Sequence, residues 1–63
     1  MFEQAILTEQ FQAILAKEQE AARLCADLEA KSGDPAFRKQ IQQLRREKQR
    51  QIELTRRLLE IVQ

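Results

Sequence analysis

The chain predicts an all-α fold: an antiparallel two-helix hairpin that pairs with a second hairpin into a four-helix bundle. Three observations point there. The only glycine and the only proline, Gly33 and Pro35, stand together at the midpoint in Ser32-Gly33-Asp34-Pro35. On either side, apolar residues recur at alternating spacings of four and three, the period of a helix with one buried face. Charged residues make up 33% of the chain and the only aromatics are Phe2, Phe11 and Phe37, a composition shared by helical hairpins and coiled coils.

The first helix is expected over residues 2–31. Leu7, Phe11, Ile14, Ala21, Cys25 and Leu28 follow the 4-3 spacing, and Leu15, Ala22 and Leu24 widen the stripe. Glu18 interrupts the series between Ile14 and Ala21. Arg23, Asp27 and Lys31 stand four apart, as an outward charged ladder would. Residues 32–34 form the turn. Gly33 lacks a Cβ and is suited to the left-handed conformation that often closes a helix. Asp34 is a good N-cap for the next helix, and Pro35 is tolerated in its first turn because its missing N–H is not needed there.

The second helix is expected over residues 35–62, on Phe37, Ile41, Leu44, Leu58 and Val62, joined by Ile52, Leu54, Leu59 and Ile61. Its middle, Arg45 to Gln51, is polar throughout, and Lys48, Gln51 and Thr55 take seam positions. Glu53 with Arg57 and Arg56 with Glu60 have the spacing of helical ion pairs. Folding the chain about residues 32–33 sets residue i opposite about 65 − i, which brings Glu18 level with Glu47 and Lys48.

Sixty-three residues make one domain, residues 1–63, of a size at which a lone core is marginal. A homodimer, or a helix from another protein, is expected to cover the outer half of each stripe. The interface residues read from the pattern are Leu7, Phe11, Ile14, Ala21, Leu24, Cys25, Leu28, Phe37, Ile41, Leu44, Ile52, Leu58, Leu59 and Val62. Net charge is +1, but the halves differ. Residues 1–34 hold three Lys/Arg against seven Asp/Glu, a balance of −4, and residues 35–63 hold eight against three, a balance of +5. That asymmetry favours antiparallel pairing.

Several function classes lack support. No apolar run is long enough to cross a membrane, and the Met1-Phe2-Glu3-Gln4 start has no basic region or apolar core of a signal peptide, so a cytoplasmic location is expected. The single Cys25 cannot form an internal disulfide and, in a seam position, is expected to act as a small hydrophobe. The chain has no His, no nucleophile beside a base and no Gly-rich phosphate loop. A non-enzymatic protein without a cofactor is expected. Lys39, Arg46, Arg50 and Arg57 form a basic stripe on helix two, the one feature that points to nucleic acid. No exposed aromatic interleaves it to stack on bases, and Glu47, Glu53 and Glu60 dilute it, so a solvated face is the plainer reading.

Three family resemblances bear on function. Lys17-Glu18-Gln19-Glu20-Ala21-Ala22, the Asp34-Pro35 turn and the segment Leu44 to Leu54 follow the order and spacing of a ferritin-like or rubrerythrin-type half bundle. The resemblance implies a dimeric four-helix bundle, with Glu18 or Glu20 at the first metal-ligand position and Glu47 at the second. The family's ligand His falls on Arg50, which cannot bind iron and would compete with a cation for the carboxylates. The layout of two helices about a short turn is also similar to the small co-chaperones of type III secretion needle subunits, which implies sequestration of a partner's amphipathic helix. A dimeric hairpin with a charged face further resembles small RNA-binding four-helix bundles. The expectation carried forward is a helical self-assembly or protein–protein interaction module.

Overall fold

The computed structural model describes residues 2–63. Helix α1 spans Phe2–Lys31 and α2 spans Pro35–Val62. They pack along their length as an antiparallel hairpin, a rod of 50 × 14 × 10 Å. Glu3 in the first turn of α1 and Lys31 in its last both complement the helix dipole. Neither helix is long and apolar enough to cross a membrane among the described residues.

The turn is built mostly from side chains. Asp34 takes an extended conformation (φ −89°, ψ 116°), and its carboxylate accepts the Ala36 N–H at 3.1 Å, with Pro35 opening the helix. The Asp34 carbonyl accepts the Arg38 N–H at 2.9 Å, closing the first turn of α2. On the other side, the Ser32 N–H donates to the Leu28 carbonyl at 3.0 Å, and the Ser32 hydroxyl accepts the Asp34 N–H at 3.3 Å. These bonds set the path of the chain as it leaves α1. Gly33 accordingly does not adopt the left-handed conformation expected of it, and a Cβ there would meet no atom within 4 Å.

The seam between the helices runs along two rows on each. On α1 they are Thr8, Leu15, Ala22, Glu29 and Phe11, Glu18, Cys25, the second continued by Ser32 just past the helix end. On α2 they are Arg38, Arg45, Ile52, Leu59 and Ile41, Lys48, Thr55, Val62. Apart from Ala21 and Ala26, every buried or half-buried residue described on α1 falls on its two rows, and on α2 all of them do. The buried core consists of Cys25, Ile41, Ile52, Thr55 and Leu59. Of the polar residues expected at the seam, Thr55 is buried and Lys48 half-buried, whereas Gln51 is exposed.

Cross-helix pairing departs from the expected register. The Gln4 side chain reaches the Val62 carbonyl, close to the backbone level expected from the turn. Glu18, however, accepts a hydrogen bond from the Thr55 hydroxyl at 2.7 Å rather than meeting Glu47 and Lys48. Glu29 likewise reaches Gln42 and Arg45. Side-chain direction contributes to an offset of this sign. Side chains on a helix lean toward its N-terminus, so across an antiparallel pair those of α1 lean away from the turn and those of α2 toward it. Partners meet about two turns further along α2 than the backbone level indicates.

Among the described residues, ion pairs join Arg23 to Glu20, Arg23 to Asp27 and Arg45 to Glu29. The Arg23 ladder thus extends back to Glu20 and does not take in Lys31. The expected pairs Glu53–Arg57 and Arg56–Glu60 are not formed.

Candidate interaction surface

The large apolar residues of this hairpin are mostly outside the seam. Of the fourteen expected interface residues, Cys25, Ile41, Ile52 and Leu59 are buried and Phe11, Ala21 and Val62 half-buried. The other seven, Leu7, Ile14, Leu24, Leu28, Phe37, Leu44 and Leu58, are 42–51% exposed. Leu54 and Ile61 add to the exposed set, at 51% and 77%.

These residues converge on one side. Leu7, Ile14, Ala21 and Leu28 stand one position before the Thr8–Leu15–Ala22–Glu29 row. Phe37, Leu44, Gln51 and Leu58 stand one position before the Arg38–Arg45–Ile52–Leu59 row. The two sets are equivalent flanks of two right-handed helices running in opposite directions, which places them on the same side of the hairpin. The observed cross-helix bonds follow the same geometry, with Glu18 and Thr55 both on the second rows and Glu29 and Arg45 both on the first. Leu24 lies beside this flank on α1, as do Leu54 and Ile61 on α2. The opposite flank carries Gln12, Gln19, Gln42, Gln49 and Arg56, all exposed, with the small Ala26 between them. The hairpin is thus two-faced across its width.

The polar groups near the seam are held by specific partners. The Glu29 side chain, 13% exposed, accepts from Arg45 at 2.6 Å and from Gln42 at 3.2 Å. The Arg45 guanidinium, helped by the Gln42 amide, holds its carboxyl below the ordinary value. Glu18 is half-buried and receives the Thr55 hydroxyl, which satisfies both groups. No buried side-chain nitrogen or oxygen among the described residues lacks a partner.

The carboxylates suggested as a metal site do not come together. Glu18 faces the seam, and Glu20 lies on the outer face bonded to Arg23, which lowers its pKa. Glu47 lines a shallow groove with Arg50, Gln51 and Leu54. Among the described residues no three His, Cys, Asp or Glu side chains form a group able to hold a metal ion. Lys39, Arg46, Arg50 and Arg57 are all exposed, Lys39, Arg50 and Arg57 on the outer side of α2 and Arg46 at the edge of its polar flank. Another groove crosses the polar side between the helices, lined by Ala22, Gln42, Arg45, Arg46 and Gln49. It is open and shallow, and Arg45 within it is already paired with Glu29.

No family model, curated protein or solved structure matches this chain. The class it falls into is therefore set by its own architecture: a helical hairpin with one apolar and one polar flank.

Proposed function

We propose that this protein is a non-enzymatic helical assembly module, whose working surface is the apolar flank of the hairpin. The observation that carries the reading is the placement of seven large apolar side chains, each close to half exposed, on and beside one flank. A contiguous apolar face of this kind marks a protein–protein contact, because leaving it in water forfeits the hydrophobic free energy of covering it. The seam supports the same reading from the other direction. Five residues make up its buried core, one of them Thr55, which is little for a chain that must hold two long helices together.

Light scattering across a micromolar dilution series, with helicity followed in parallel by circular dichroism, tests the reading. The expected result is a mass above that of one chain, with helicity falling as the assembly dissociates. A fully helical monomer with no affinity for any amphipathic helix would overturn it.

A further inference from the structure

We infer that the apolar flank is covered by a second copy of this chain, related by a two-fold axis that runs along the rod, so that both turns lie at the same end. The inference rests on the assembly reading above and specifies its partner and orientation.

Surface area argues for a second copy. Two separate hairpins at 5143 Å² each expose about 10,300 Å² together. A compact body of twice 7.4 kDa would expose about 7,000 Å². Two already compact bodies of 7.4 kDa would expose about 8,400 Å², so about 1,900 Å² of the difference is surface that two hairpins expose beyond compact chains of their size, an area of the order that a stable dimer interface buries. A self-complementary flank is what a two-fold interface requires, since the same patch serves both copies.

Charge argues for the orientation. Two-fold symmetry leaves two ways to bring these flanks together. With the turns at opposite ends, α1 lies beside the second copy's α1, and α2 beside its α2. With the turns at the same end, each α1 lies beside the second copy's α2. The α1 half carries −4 and the α2 half +5. The first arrangement sets like charges along both new edges, and the second alternates them around the bundle. The outer rows next to the flank follow suit. The row of Leu24 on α1 carries Lys17 and Lys31, and the row of Leu54 and Ile61 on α2 carries Glu47; one row further out, α1 carries Glu20 and Asp27, both paired with Arg23, and α2 carries Arg50 and Arg57. Only the same-end arrangement sets each of these rows along a row of opposite sign on the other copy.

Spin labels read the orientation directly. A Gly33→Cys variant in a Cys25→Ala background places one label at each turn, where the structure leaves space for a side chain. A Gln63→Cys variant in the same background labels the other end. Circular dichroism and light scattering on each labelled protein confirm helicity and mass before distances are measured. The expected result is a dimer whose labels are close in both variants, with backbones about 10 Å apart at the turn, the spacing of neighbouring packed helices, and about 14 Å apart at Gln63, which ends the diagonally placed α2 helices. A dimer whose labels are separated by close to the 50 Å length of the rod overturns the orientation while leaving the assembly reading intact. A helical monomer at all concentrations overturns both the second copy and the orientation, and leaves the flank to a helix from another protein.

Discussion

Replacing Leu44 with Asp separates the two faces of this hairpin more sharply than any other single change. Leu44 is 42% exposed on the apolar flank and is not among the buried seam residues. In an isolated hairpin, the substitution forfeits the part of the leucine already covered, about 1.2 kcal/mol at 42% exposure, and about 0.5 kcal/mol of helix propensity. In an assembled protein the residue is covered. Burying a leucine fully is worth about 2 kcal/mol, so the exposed 42% represents about 0.8 kcal/mol per copy, or about 1.7 kcal/mol per dimer. The new carboxylate adds a burial penalty of about 1–3 kcal/mol per copy. Together these weaken a dimer by about 4 kcal/mol or more, at least a thousandfold in dissociation constant. The assay is sedimentation equilibrium or light scattering on Leu44→Asp, with Gln49→Asp as a control carrying the same charge change on the opposite flank. The expected outcome is loss of association for Leu44→Asp alone. If Leu44→Asp keeps the parent's mass and helicity, the apolar flank is not the contact surface.

Three other changes probe the hairpin itself. Gly33→Ala should raise stability by about 0.4–1 kcal/mol, because the position needs neither a positive φ nor an empty Cβ site. Asp34→Ala should lower it by about 1 kcal/mol through loss of the cap to Ala36. Thermal unfolding followed by circular dichroism checks both signs, and a destabilised Gly33→Ala would contradict the turn geometry. Thr55→Val removes the donor to Glu18, leaving a half-buried carboxylate oxygen unpaired. It should cost about 1–3 kcal/mol, and Glu18→Gln, which keeps an acceptor, should cost less. The Glu29 carboxyl titrates below its ordinary value of 4.5 when folded. Its contribution to stability is therefore fully present above that value and is lost as pH falls through the lower, folded value. Melting temperatures of Glu29→Gln should fall less steeply below pH 4.5 than those of the parent, and an unchanged acid slope would exclude the Arg45 pair as the source.

The hairpin was legible because its turn gathers the chain's only Gly and Pro around a capping Asp, between two long periodic segments. The division of labour between apolar rows was not. Phe11, Glu18 and Cys25 belong equally to two overlapping 4-3 series, one continuing through Leu7, Ile14 and Leu28 and the other through Thr8, Leu15, Ala22 and Glu29. Side-chain size favours the first series as the seam. The structure uses the second, whose members are smaller or more polar, and leaves the large residues on the flank. Hydrophobic spacing identifies a face but not which half of it meets the chain's own second helix. The Glu18–Thr55 and Glu29–Arg45 bonds were hidden for another reason, since backbone level ignores the lean of side chains toward each helix's N-terminus. Gly33 shows a third limit. Its left-handed conformation is common at a helix end but is not needed for the chain to turn here, where the Ser32 hydroxyl accepts the Asp34 N–H instead.

The contact between Gln4 and the Val62 carbonyl holds the two ends of the described chain side by side, with the turn at the far end of a 50 Å rod. That arrangement decides how the protein yields to force. A pull applied through both ends acts across the seam rather than along it, so the cross-helix layers break one after another. The Gln4 contact parts first, the Glu18–Thr55 bond follows, and the grip of Arg45 and Gln42 on Glu29 is reached last. Pulled from the free end of α1 and from the turn, the load runs along α1 itself, and the seam is not on its path. Only the first pull tests the grip of one helix on the other.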